Sequence, residues 1–217
     1  MLSGMVFDMD GVVINSHPAH RAAWKSFLEG MGRRTSDAEL DIILDGGKRE
    51  EILKYFLGEL NPKEIAEYGK RKDELLRNHG SKLEPMIGVV EFLDHLLSSG
   101  VRMAIATSAS GHRALRALDE LGLTHYFETI ITGDEVAVGK PDPAIYRLAA
   151  ARMQEAPDHL LAVEDAVSGV KAARSAGMRC LGVAHNGRAD LLRSAGANPI
   201  IEDFRSLSLA QLEACFH

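Results

Sequence analysis

Two aspartates, Asp8 and Asp10, stand two residues apart, directly after the apolar run Met5-Val6-Phe7 and directly before Gly11-Val12-Val13. A short apolar run of this kind reads as a buried strand, so the pair falls where the backbone leaves the core. On an extended strand, residues i and i+2 share a face. Two carboxylates crowded on one face require a cation between them, or one must hold a proton. Either outcome is chemistry. Asp-x-Asp by itself is also common in surface turns, so its meaning depends on its company.

Three further polar signals follow apolar runs or open a helix. Thr107-Ser108 follows Val101–Ala106, Glu164-Asp165 follows Leu160–Val163, and Gly139-Lys140-Pro141 precedes a helical pattern that Asp142 could cap. Plainer roles exist for each. Thr107, Ser108 and Asp165 could cap the helices after them, and Lys140 could be a solvated loop lysine. Together they form a coherent set: an acid pair, a hydroxyl, a lysine and a second acid pair. Four gathered carboxylates need a cation, and hard oxygen donors without His or Cys favour Mg²⁺. A carboxylate beside that ion can attack phosphorus and divide one difficult displacement into two. A lysine and a hydroxyl stabilise the transferring group's oxygens, and a second aspartate can serve as general acid and then general base.

The elements that must position these residues are legible from periodicity. Residues 17–30 have apolar positions at helical spacing, with Pro18 suited to a first turn. Three more helical patterns run to about residue 79, the last opened by Asn61-Pro62. No strand pattern occurs between Val13 and Leu83. After that, strands at Val101–Ala106, Thr129–Thr132, Leu160–Val163 and Arg179–Val183 alternate with helices at Ile87–Leu97, Gly111–Leu121, Pro143–Met153 and Val167–Ser175. This alternation specifies βαβ units and a parallel sheet covered on both faces. The expected architecture is therefore α/β, a Rossmann-like parallel sheet formed by residues 1–14 and 83–217. An all-helical unit, residues 15–82, is inserted after strand 1. In such sheets ligands bind outside the carboxyl ends of the strands, where all four signals fall.

Composition excludes several other classes. The 217 residues are 46% hydrophobic and 26% charged, as in an ordinary globular protein. A net charge of −6 argues against a nucleic-acid surface, which needs a basic patch. No apolar run approaches the ~20 residues of a membrane span, and the N-terminus has no basic stretch leading into an apolar one. The two cysteines, Cys180 and Cys215, form no disulfide framework, which makes a reducing cytoplasm the expected location. An acidic, lidded chain of this size is expected to be a monomer.

Asp8-Met9-Asp10-Gly11-Val12, Thr107-Ser108, Gly139-Lys140-Pro141-Asp142-Pro143 and Val163-Glu164-Asp165-Ala166-Val167-Ser168-Gly169 together resemble the haloacid dehalogenase superfamily. The order and spacing of these motifs cover nearly the whole chain. The resemblance implies Asp8 as nucleophile, Asp10 as acid and base, Thr107 as a phosphoryl ligand and Lys140 as the link between phosphoryl group and nucleophile. It implies Mg²⁺ held by Asp8, the Asp10 carbonyl and Asp165, with Glu164 as a ligand or just behind one. Retention of Asp10 speaks against the dehalogenase branch, which replaces that acid and attacks carbon.

Within the superfamily the chain is similar to the β-phosphoglucomutase-like subgroup, whose cap domain the 15–82 insert resembles. His20-Arg21-Ala22-Ala23-Trp24-Lys25 resembles the first cap helix, with His20 linking cap closure to the acid/base aspartate. Gly46-Gly47-Lys48-Arg49-Glu50-Glu51 resembles the cap loop that grips a second phosphate through its arginine, and Arg71-Lys72-Asp73 resembles a later segment with a substrate-facing lysine. From the residues alone, His20 reads as a packing or surface histidine and Lys48-Arg49 as a solvated helix start, although an arginine fork suits a phosphate dianion. The substrate-binding set implied is His20, Gly46, Arg49, Lys72 and Ser108.

Two departures stand out. Ala109, Ser110 and Gly111 replace the serine, lysine and asparagine that serve the distal phosphate in the mutases, and Asn15 replaces an aspartate at the hinge. Loss of the lysine weakens the mutase case. The preferred expectation is a Mg²⁺-dependent phosphatase of a small phosphorylated metabolite, a sugar phosphate, with a β-phosphoglucomutase-type phosphotransferase as the alternative. A receiver domain of the response-regulator kind shares the acid pair, hydroxyl and lysine, but is shorter and has no lid after strand 1. A catalytically silent binding protein fits poorly, because no core motif residue is missing. His17, Trp24 and the cysteines read as packing or surface residues.

Overall fold

The computed structural model describes residues 2–44, 48–78, 83–184, 187–205 and 207–214. Strand β1 (Gly4–Phe7) is followed by helices α1 (His17–Gly30), α2 (Asp37–Leu40), α3 (Arg49–Leu57) and α4 (Pro62–Asn78). Then come α5 (Val89–Ser98), β2 (Arg102–Ala106), α6 (Gly111–Glu120), β3 (Thr129–Ile131), α7 (Ala144–Met153) and β4 (Leu160–Glu164). The chain ends with α8 (Val167–Ser175), β5 (Arg179–Val183), α9 (Ala189–Ala195), β6 (Ile200–Ile201) and α10 (Leu209–Ala214).

The strands form one parallel sheet in the order β3-β2-β1-β4-β5-β6. All four residues of β1 are buried, as its apolar run requires of a central parallel strand. Phe7 pairs with Ile105 on one side and Val163 on the other. That register brings the carboxyl ends of β1, β2 and β4 level, so Asp8, Thr107 and Glu164 emerge at one sheet edge. Strand side chains alternate between faces. Met5, Phe7, Met103, Ile105, Leu161 and Val163 pack with Phe92 and Leu93 of α5 and Leu118 of α6. Val6, Ala104, Ala162 and Leu160 pack with Tyr146 and Ala149 of α7 and Val170 of α8.

The helices between β1 and α5 bury a separate cluster, including Trp24, Phe27, Leu28, Leu40, Leu53 and Phe56. Their described residues contain no strand. The two chain crossings into this insert run side by side: Asn15 N donates to Glu84 O at 2.9 Å and Met86 N to Val13 O at 3.0 Å. The Asn15 side chain is exposed.

Some boundaries differ from the sequence expectation. The helix expected at Ile87 begins at Val89, because Gly88 takes a left-handed φ of 74° and leaves Ile87 59% exposed. Strand β6 and helices α9 and α10 were not anticipated; two isoleucines are too short a run to show any period. Among the described residues no helix is long and apolar enough to cross a membrane.

Candidate active site

Asp8 lies one residue beyond β1, and its N–H still donates to Val163 O at 2.9 Å. The sheet therefore holds its backbone while the side chain leaves the core. The chain then doubles back, with the N–H groups of Val13 and Ile14 donating to Met9 O at 3.0 and 2.9 Å. Gly11 makes this turn with φ of 78°, and a Cβ there would stand 2.3 Å from Asp165 Oδ2 and 2.5 Å from the His17 ring. Only glycine meets both demands. Thr107 N donates to Ile131 O at 3.0 Å, and its Oγ1 accepts from Ala109 N at 3.1 Å. It shapes the strand-end turn and does not cap α6, whose first N–H, that of Gly111, donates to Asp134 Oδ2 at 2.8 Å. Asp142 does serve the start of α7, accepting from Ala144 N at 2.9 Å.

Lys140 is not a solvated loop lysine. Its side chain is 1% exposed, and Nζ donates to Asp8 Oδ1 at 2.5 Å, Glu164 Oε1 at 2.6 Å and Ala106 O at 3.0 Å. Tyr146 OH donates to the same Glu164 oxygen at 2.6 Å. The other oxygen, Oε2, accepts from the N–H groups of Asp165 and Ala166 at 3.2 and 3.4 Å. Both Glu164 oxygens are thus engaged, and the residue is 0% exposed. A Cβ on Gly169 would fall 1.9 Å from Glu164 Oε1, so α8 can lie against this carboxylate only with glycine at that position. Helix α8 starts without a side-chain cap, and Asp165 Oδ2 meets His17 Nε2 at 3.1 Å instead.

Asp10 has separate partners. Ser16 Oγ donates to Oδ1 at 2.5 Å, Arg113 Nη1 donates to Oδ1 at 3.0 Å, and Arg113 Nη2 donates to Oδ2 in a shorter contact. His20 Nε2 lies 3.6 Å from Asp10 Oδ1 and 3.2 Å from Arg113 Nη1. Behind it, Lys72 Nζ sits 3.1 Å from His20 Nδ1 and 5.6 Å from the centre of the Trp24 ring. Arg49 Nη2 donates to Asp73 Oδ2 at 2.8 Å. Residues from core and insert enclose a cavity of about 100 Å³, with Asp8, Thr107 and Asp165 on one side and His20, Arg49 and Lys72 on the other.

Burial raises the Asp8 carboxyl to about 7; Lys140 opposes that shift, while Glu164 and Asp10 add to it. Asp165 is pushed well above the usual carboxylate range by burial, then by Glu164 and Asp8. Burial would raise Asp10 as well, but the Arg113 guanidinium and then His20 overturn that and hold it well below the usual range. Burial, followed by the nearby Arg113, brings the Lys72 ammonium down to about 7. Burial, then Lys72, likewise pushes the His20 imidazole well below its ordinary value, against the opposing pull of Asp10. One pole of the cavity is therefore rich in acid and the other in base.

The structure brings together Asp8, Asp10, Thr107, Ser108, Glu164 and Asp165 from the core with His20, Arg49 and Lys72 from the insert, and Lys140 reaches them through Asp8. Gly46 lies outside the described residues. His20 and Arg49, plain surface or packing residues on sequence alone, line the cavity. Arg113, His17, Ser16 and Tyr146 were not anticipated. His17 lines the cavity too, while Trp24, which borders it, is buried in the insert's core as its packing reading expects. Arg113 stands on the first turns of α6 and faces Asp10, which puts a positive charge two residues beyond 109–111. Nothing in one dimension marks this, because an arginine early in a helix is ordinary.

The family model "haloacid dehalogenase-like hydrolase" matches residues 2–177. A phosphorylated carbohydrates phosphatase of Thermotoga maritima is 34% identical over 93% of this chain and 94% of its own. The β-phosphoglucomutase of Bacillus subtilis is 32% identical over 84% of this chain and 83% of its own. The crystal structure of a CbbY variant from Rhodobacter sphaeroides with xylulose-(1,5)bisphosphate superposes with a TM-score of 0.84 at 26% identity, covering 98% of this chain and 99% of that one. With most of its length matched by the family and its strand-end motifs gathered at one cavity, the chain belongs to the haloacid dehalogenase-like hydrolases.

Proposed function

We propose that the protein is a Mg²⁺-dependent phosphatase of a small phosphorylated carbohydrate, working through an aspartyl-phosphate on Asp8. One observation carries the reading: Asp8 projects from the sheet edge into the cavity with Lys140 bonded to one oxygen, while Asp10, two residues on, is held by a separate set of donors. Two carboxylates in two environments suit two roles. The phosphatase among the relatives supports the substrate class.

The donor set fits a divalent cation. Lys140 Nζ pairs with Asp8 and Glu164 and Arg188 acts on Asp165, yet burial still raises Asp8 and Asp165, a penalty that a bound cation would relieve. Among the described residues, no three His, Cys, Asp or Glu side chains form a ready metal cage. Mg²⁺ asks for less, because it keeps waters and takes one or two carboxylates with the substrate's phosphate. Asp8, the Asp10 carbonyl and Asp165 would hold it, and it would supply charge neutralisation at the phosphoryl oxygens. The saturated Glu164 carboxylate suits an anchor for Lys140 better than a ligand.

In the first step an Asp8 oxygen attacks phosphorus, the bond to the sugar oxygen breaks, and Asp10 gives that oxygen a proton. Lys140 and Thr107 Oγ1 stabilise the equatorial oxygens. Next, water attacks the acyl phosphate, Asp10 takes its proton, and phosphate leaves with Asp8 restored as a carboxylate. Asp10 needs a proton for the first step, so Arg113 must draw back as the leaving group enters. Residues 15–82 act as the cap, bringing Arg49, Lys72 and His20 to the sugar.

Arg113 also favours a second reading, a phosphomutase. Together with Arg49 it restores two cationic grips, which a bisphosphate intermediate turning over in the site requires. The test is a panel of sugar and nucleotide monophosphates with Mg²⁺ present. Free phosphate as product supports the phosphatase, stoichiometric hexose 6-phosphate from hexose 1-phosphate with catalytic bisphosphate supports the mutase, and no turnover on any ester refutes both.

A further inference from the structure

Lys48 lies just before α3 on the insert, its main-chain N–H donating to Glu51 Oε2 at 3.0 Å. Its side chain crosses to the core, where Nζ donates to the main-chain carbonyls of Val136 at 2.6 Å and Ala137 at 3.2 Å. Among the described residues no carboxylate pairs with this ammonium. The stem of the side chain lies on Gly139: the three atoms nearest a Cβ built there all belong to Lys48, at 2.5, 3.1 and 3.3 Å. Gly139 does not take a left-handed φ, so its backbone would accept a side chain. What keeps the position small is Lys48.

The residue after Gly139 is Lys140, which bonds Asp8 and Glu164. Lys48 therefore ties the insert to the loop that presents Lys140: it bonds main-chain oxygens of that loop and covers the glycine next to Lys140. Carbonyl acceptors are fixed by the loop's own backbone conformation. An ammonium that bonds two of them together can do so only while residues 136–139 keep this shape.

We propose that Lys48 is a positioning residue for Lys140: by clamping residues 136–139 from the insert, it makes seating of the helical insert and placement of the core lysine a single event. The proposal rests on the reading that Lys140 acts at the phosphoryl group. Free of the insert, the 136–139 loop relaxes and Lys140 loses its fixed approach to Asp8. With the insert seated, the loop and its lysine are set.

The test is a double-mutant cycle read in two ways. Lys48→Met keeps the apolar stem and removes the donors. It should lower kcat by about tenfold, the worth of one charged hydrogen-bond donor, with KM and the thermal midpoint little changed and Lys48→Arg recovering most of the loss. Gly139→Ala should drive the Lys48 stem off the loop and cost a similar factor. In a Lys48→Ala background, adding Gly139→Ala should then cost nothing more. Amide exchange of residues 136–142, measured without substrate, should quicken in Lys48→Met and in Gly139→Ala. Additive losses in the double variant, unchanged exchange, or quicker exchange with kcat intact would each overturn the proposal. If the wild type hydrolyses no phosphate ester, the functional reading has failed and the role assigned toward Lys140 falls with it, while the exchange data still decide whether Lys48 holds the loop.

Discussion

The Arg113 guanidinium grips both carboxylate oxygens of Asp10, one terminal nitrogen to each. A planar fork matched to a carboxylate fixes its plane as well as its charge. Helix α6 thus sets the orientation of the residue to which the proposed mechanism assigns proton exchange with the leaving group and with water.

Replacing Arg113 should move the pH profile in a defined direction. Arg113 lowers the Asp10 carboxyl, so in Arg113→Met the ionisation assigned to Asp10 in kcat/KM should shift to higher pH. The stability consequence has the same origin. A depressed carboxylate contributes stability above its unfolded value of 3.8 and loses it as pH falls through the folded value. The stability gap between wild type and variant should therefore be full at pH 7 and shrink as the pH falls below 3.8. Thermal unfolding across that window checks the sign, and a constant gap would exclude the charge as its cause.

Asp8→Asn should abolish turnover, since an amide neither attacks phosphorus nor holds Mg²⁺ well. Steady-state phosphate release on the best substrate measures this. Activity within about tenfold of wild type would remove Asp8 as the nucleophile, because the covalent route offers no second attacking group at that position.

Asp10→Ala should cost about 10² to 10⁴ in kcat, the usual worth of general acid–base help. Substrate binding, measured by titration, should survive. A loss confined to binding would instead make Asp10 a substrate contact.

Gly169→Ala should fail for a reason unrelated to helix propensity, which alanine improves. The new methyl would stand 1.9 Å from Glu164 Oε1, so the carboxylate must move and release Lys140. Overpacking of this kind costs about 1–3 kcal/mol. The thermal midpoint should fall, and kcat of the folded enzyme should fall too. A lower midpoint with unchanged kcat would separate Glu164 from the placement of Lys140.

Mg²⁺ should raise stability as well as activity. Adding the ion at about a hundred times its dissociation constant should stabilise the fold by about 2.7 kcal/mol by mass action, and Asp165→Asn should remove most of that gain. Calorimetric titration against chelated protein tests this without reference to turnover; binding undiminished in Asp165→Asn would place the ion elsewhere.

The strand-end motifs were readable in one dimension because burial in a parallel sheet leaves a continuous apolar run, and whatever follows that run must sit at the sheet's carboxyl edge. Asp8, Thr107 and Glu164 became neighbours by register, and register follows from which runs pair. The helical nature of the insert was readable for the same reason, from apolar spacing at Trp24, Phe27 and Leu28.

Contacts between helix faces were not. Whether Arg113 turns toward Asp10, His17 toward Asp165 or Tyr146 toward Glu164 depends on the rotation of each helix about its axis and the seating of the insert on the core, and no local pattern encodes either. The bond from Lys48 to Val136 joins positions 88 residues apart. The sequence by itself determined which acids, hydroxyl and lysine line one sheet edge. Tertiary packing alone decided which cations answer those acids, because opposite charges find each other through space and not along the chain.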